Sequence, residues 1–152
     1  SAALAVSVLA LFNAGGRLVA GFLSDKIGRI NTLTLACVLS IAGLGLLAVS
    51  GTGAYVTFYV GIALVGFCFG AFMGVYPGFT ADQFGPKNNS VNYGIMFIGF
   101  ALAGFFGPTI MKNVFASTGS YKNAFIIAIG LNIAGIVLTL LYRALSKKMK
   151  AA

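Results

Sequence analysis

The chain has 152 residues, 59% hydrophobic and only 8% charged, with a mean hydropathy of +0.99. No soluble domain of this length has enough interior to hide so much apolar surface, so the composition excludes the soluble globular classes and points to a membrane. A net charge of +8 would suggest nucleic acid in a soluble protein; here the basic residues fall almost wholly in short connections and a tail, where they orient helices in a bilayer, and no nucleic-acid partner is expected.

Five apolar runs follow one another. The first, residues 1–23, is long enough to cross a bilayer as a single helix. Inside it stands Arg17, with Asn13 four residues earlier on the same helical face. An arginine at the bilayer centre costs about 2.5–3.5 kcal/mol on insertion scales. Snorkelling to the headgroups is hindered because residues 18–23 continue apolar, and the chain's acids, Asp25 and Asp82, both fall in expected loops. Arg17 is therefore expected to face a polar cavity and bind an anion. The run begins with no starting Met and with Ser1 already inside it, so the sequence reads as part of a longer chain.

Residues 24–31 read as a charged turn, 32–50 as the second helix, and 51–53 as a tight connection. Residues 54–80 form a long third helix, with Pro77 expected to kink or end its last turn. Gly66, Gly70, Gly74 and Gly78 repeat every four residues along one face of it, a stripe that lets a neighbouring backbone approach closely. Residues 82–89 are polar and contain Pro86, after which Asn89 or Ser90 is expected to cap a fourth helix running to about Met111. Residues 112–120 read as a loop, 121–145 as the fifth span, and 143–150 as a basic tail.

Counted by side, Lys26, Arg29, Lys87, Arg143, Lys147, Lys148 and Lys150 lie on one face of the membrane and Lys112 and Lys122 on the other. Seven against two places the first face, with the C-terminus, in the cytoplasm, as expected of a multi-pass protein of the cell membrane surrounded by lipid. The chain has no His, Glu or Trp, which removes most routes to acid–base, nucleophilic or metal catalysis. No enzyme activity, metal or cofactor is expected. Cys37 and Cys68 lie in apolar runs without metal-type spacing and read as packed free thiols.

Gly21-Phe-Leu-Ser-Asp-Lys-Ile-Gly-Arg29 resembles the G-x-L-x-D-x-x-G-R loop of the major facilitator superfamily, set as in that family between two apolar helices on the basic side. Gly21, Asp25, Gly28 and Arg29 are all in register. In chemical terms Asp25 can accept from helix-terminal N–H groups of a neighbour, Gly28 permits a tight turn, and Lys26 and Arg29 hold the loop at the inner face. The resemblance implies a gating loop that latches two halves of a transporter together in one state and releases them in the other. It implies an all-α membrane protein of twelve helices in two six-helix halves, with the loop after helix 2 or helix 8. The second setting fits: the five spans match helices 8–12, so residues 1–152 are expected to be a partial C-terminal half, with helix 7 and the N-terminal half outside the sequence. That N-terminal half is the implied partner.

Asn13-Ala-Gly-Gly-Arg17, then the loop, Pro77 and Asn92-Tyr93-Gly94 together resemble the oxalate:formate antiporter and monocarboxylate porter branch along essentially the whole chain. In that branch the helix-8 arginine, matched by Arg17, binds the substrate carboxylate. Animal monocarboxylate carriers place a proton-coupling aspartate four residues before it, where this chain has Asn13. If protons are partners, the acid is expected in the other half. Oxalate-exchanging members carry a second cation where this chain has Phe100, and the same alignment puts cavity residues at Phe69, Met73 and Phe97. One cation suits one carboxylate, and aromatic walls suit an apolar substituent. The resemblance thus implies a small organic anion as substrate, a monocarboxylate of the lactate, pyruvate or formate type, moved by alternating access. The rival readings are an oxalate or other organic-anion exchanger, against which Phe100 argues, and a non-transporting membrane scaffold, against which Arg17 and the loop argue.

Overall fold

Inside a bilayer each backbone N–H and C=O must find its partner within the protein, which makes helices of such long apolar runs. The structure, a computed structural model, describes residues 2–51 and 53–151, with side chains as far as residue 146; Ser1, Thr52 of the expected 51–53 connection, Ala152 and the side chains of the tail lysines lie outside that description. Among the described residues it holds five α-helices and no strand: α1 Ala2–Ile27, α2 Arg29–Val49, α3 Tyr55–Phe84, α4 Asn89–Thr118 and α5 Lys122–Ala151. All five are long and apolar enough to cross a membrane.

The helices run further than hydropathy implies. The charged turn expected over 24–31 shrinks to a break at Gly28, whose φ of +91° suits a residue without a Cβ. Ser24 stays helical, its hydroxyl bonded back to the Gly21 carbonyl at 2.7 Å. α3 continues past Pro77 to Phe84, where Gly85 at φ +82° donates to the Ala81 carbonyl. The turn around Pro77 is held by packing, since Val75 and Thr80 are both fully buried. α4 likewise passes Pro108 and the expected end at Met111 and runs to Thr118, where Ser117 and Thr118 bond back to the Val114 carbonyl and left-handed Gly119 closes the helix by donating to the Phe115 carbonyl. Asn89 does not cap α4 as expected: Asn88 occupies the cap position without a side-chain bond, and the Asn89 carboxamide donates to the Pro77 carbonyl at 3.4 Å.

α3 is the centre of the bundle. One side packs along α1 and another along α2, α5 lies on α2, and α4 touches α3 and α5 only lightly, with no buried residue of its own. Ala20, Leu33, Ala36, Ala71 and Val75 form the core, with Phe72 and Tyr76 against it. Gly66, Gly70 and Gly74 of the glycine stripe form the α1–α3 seam. A Cβ on Gly66 would stand 2.9 Å from the Leu9 carbonyl oxygen, one on Gly70 2.0 Å from that of Asn13, and one on Gly74 2.6 Å from that of Arg17. Contact this close, without Cβ atoms between the backbones, supplies the dispersion attraction that joins helices where water drives nothing together. The partners advance together along both helices, so α1 and α3 run parallel, and the seam fixes the height of Asn13 and Arg17 against α3.

Candidate functional site

Arg17 projects from the exposed side of α1, and its Nε donates to Asn13 Oδ1 at 3.1 Å. That bond orients the guanidinium and leaves both terminal nitrogens without a partner among the described residues. Two parallel N–H groups on a planar fork match the two oxygens of a carboxylate. Neither aspartate reaches it: both Asp25 and Asp82 pair with Arg29.

On the far side of the seam lies a cavity of about 390 Å³ between α3, α4 and α5, with α2 at its back. The four cavity residues expected from the sequence, Phe69, Met73, Phe97 and Phe100, all line it. Phe100 links its walls, stacked on Phe69 with ring centres 5.9 Å apart and tilted against Phe97 at 4.8 Å. Tyr93 extends the cluster at 5.4 Å from Phe97. Asn13 and Arg17 are not part of this wall. The connection is the seam itself: Phe69 and Met73 directly precede Gly70 and Gly74, which rest on the backbones of Asn13 and Arg17. Sequence reasoning missed the deeper lining, Cys37 of α2 and Leu131, Asn132 and Gly135 of α5. The signal for one of them was present, since a carboxamide in the middle of an apolar span is costly unless it has a task.

At the opposite end of α1, the loop residues gather around Arg29. Its Nη1 stands 2.7 Å from Asp25 Oδ1 and its Nε 3.1 Å from Asp82 Oδ2, and Nη1 also bonds Ser24. The guanidinium lies over Gly78, where a Cβ would come within 2.8 Å of Cζ. Gly28 supplies the turn, and the Gly21 carbonyl receives the Ser24 hydroxyl. Asp25, which the sequence suggested would accept from a neighbouring helix end, is paired inside this chain. Gln83 with Tyr142 and Asn31 with Arg143 tie α3 and α2 to α5 at the same level.

Five membrane-length helices, the first and third joined by a glycine seam, with an arginine inside the apolar zone that meets no carboxylate among the described residues, define a multi-pass helical membrane protein. The sequence profile of the Major Facilitator Superfamily matches residues 1–152, and the chain belongs to that family. It is 43% identical over 102 residues to the uncharacterized MFS-type transporter YhjX of Escherichia coli (strain K12), covering 67% of this chain and 25% of that protein. It is 31% identical to the oxalate:formate antiporter of Oxalobacter formigenes, over 80% of this chain and 29% of that one. With monocarboxylate transporter 9 of Pongo abelii it shares 31% identity, over 79% and 23%. The chain thus spans about a quarter of the length of the curated relatives it matches. No solved structure matches it.

Proposed function

We propose that residues 1–152 form helices 8–12 in the C-terminal half of a secondary transporter that carries small monocarboxylates of the lactate, pyruvate or formate type. Arg17 anchors the carboxylate through its two free terminal nitrogens, and Asn13 holds the fork in place. Phe69, Met73, Phe97 and Phe100 receive the rest of the substrate. The two halves rock about this site, exposing it alternately to either side. Asp25, Arg29 and their glycines act as the latch on the basic face, which the seven-to-two distribution of Lys and Arg assigns to the cytoplasm together with the C-terminus. Any proton-coupling acid belongs to the other half, since Asn13 cannot titrate.

The observation that carries the reading is Arg17: an arginine inside an apolar helix, oriented by a neutral neighbour and left without a carboxylate among the described residues. A charge so placed needs an anion. The test is uptake of a panel of labelled organic acids by proteoliposomes containing the full-length protein. Uptake of monocarboxylates supports the reading, and a protein that moves none of the panel overturns it.

A second reading, an oxalate exchanger, has the 31% identical antiporter in its favour. Phe100 opposes it, since this ring packs between Phe69 and Phe97 where a second carboxylate would need a cation.

A further inference from the structure

The aromatic cavity is larger than the proposed substrates need. At roughly 30 Å³ for each water in the liquid, its 390 Å³ corresponds to about a dozen waters. Beyond the carboxylate, lactate brings three heavy atoms and pyruvate three. The cavity also runs past the expected wall on α3 and α4 to reach α5, where Asn132 contributes a carboxamide to surroundings otherwise built mainly from aromatic rings, methionines and aliphatic groups. Asn132 spends one N–H on the Ala128 carbonyl of its own helix, at 3.0 Å. Its second N–H and its oxygen have no partner among the described residues. A carboxamide has two donors and a two-lone-pair acceptor, so most of its capacity is open. A ligand group that supplies the partner gains a hydrogen bond there.

From these observations we infer that the cavity is a side-chain subsite, and that the transporter takes monocarboxylates with a bulky apolar tail ending in a hydrogen-bonding group. This rests on the reading of Arg17 as the carboxylate anchor. Phe69 and Met73 line the cavity and each stands one residue from a glycine that touches Asn13 or Arg17, so the two sites lie at the same height along α3. A carboxylate held by Arg17, which is exposed, would lay its tail over the surface of α3 towards Phe69, itself 40% exposed, with a terminal hydroxyl reaching Asn132. Ring on ring favours an aromatic tail, through the same offset and edge contacts that the wall residues make with each other.

The experiment measures half-saturation by lactate, 3-phenyllactate and 3-(4-hydroxyphenyl)lactate in proteoliposomes of the full-length protein. Phenyllactate should saturate at least tenfold below lactate, and its hydroxylated form lower again. Asn132→Leu should reduce the discrimination between the two aromatic acids about tenfold. A second variant, Gly99→Leu, fills the cavity from α4, where a Cβ would stand in open space. It should shift the phenyllactate-to-lactate ratio at least tenfold towards lactate. Lactate uptake with the aromatic acids excluded overturns the subsite while leaving Arg17 as the anchor. Ratios unmoved in both variants also overturn it, by showing that the cavity is empty during transport. If no monocarboxylate is carried at all, the anchor reading falls and the subsite falls with it.

Discussion

A Cβ placed on Gly70 would stand 2.0 Å from the carbonyl oxygen of Asn13, the residue that orients Arg17. The close approach of two backbones and the placement of Arg17 are therefore one feature. Any atom added at residue 70 must push α1 away from α3, and it takes Asn13 and Arg17 with it.

Gly70→Ala should accordingly destabilise the full-length protein by the upper end of the ~1–3 kcal/mol typical of overpacking, and lower transport in the molecules that still fold. Gly130→Ala, on the exposed side of α5 with nothing within 4 Å, is the control and should leave the midpoint of thermal unfolding in detergent close to wild type. Equal midpoints for the two variants would mean that the seam yields easily and does not set the height of Arg17.

Arg17→Lys keeps the charge and removes the planar fork. An ammonium cannot both accept orientation from Asn13 and present two parallel N–H groups. Uptake should fall at least tenfold. Near wild-type uptake would establish that charge alone is enough at this position.

The latch makes a different prediction. Asp25 and Asp82 are 64% and 54% exposed, so their pairing with Arg29 adds little static stability, on the order of 1 kcal/mol or less. Its effect should show in exchange between states. Asp25→Asn and Asp82→Asn should each slow turnover about tenfold with half-saturation within twofold of wild type. Because both act through one guanidinium, the double variant should be less impaired than the product of the singles. A large loss of affinity with normal turnover would contradict the assignment.

What could be read from the sequence follows from what each signal measures. Apolar runs report contact with lipid, so all five spans were legible, but a helix end is a backbone event. Gly28, at positive φ, breaks the helix only in the middle of the polar stretch 24–31, and Gly119, also at positive φ, ends α4 only at the far edge of 112–120. The resemblance placed Phe69, Met73, Phe97 and Phe100 at one cavity, and all four line a single one. Spacing carries nothing about partners on other helices. Asp82 meets Arg29 across 53 residues of sequence, and Asn132 enters the cavity from α5, so both had to await the packing.

On the proposed reading, Phe100 is the residue that separates the rival substrates. It lies between Phe69 and Phe97, in contact with both rings, at the position where the resemblance to oxalate exchangers calls for a lysine. With the ring in place, a second carboxylate would leave water for an apolar wall without a compensating charge. A methyl, hydroxyethyl or benzyl group would lose nothing by the same move. Phe100→Lys removes two ring contacts and sets an ammonium on the cavity wall, so monocarboxylates should bind more weakly while oxalate improves relative to them. Competition by oxalate and by lactate, measured in one liposome assay for wild type and variant, reads this as a ratio of inhibition constants. The ratio should move at least tenfold towards oxalate. A ratio that stays fixed would put residue 100 outside the substrate's reach, whatever the cavity itself contains.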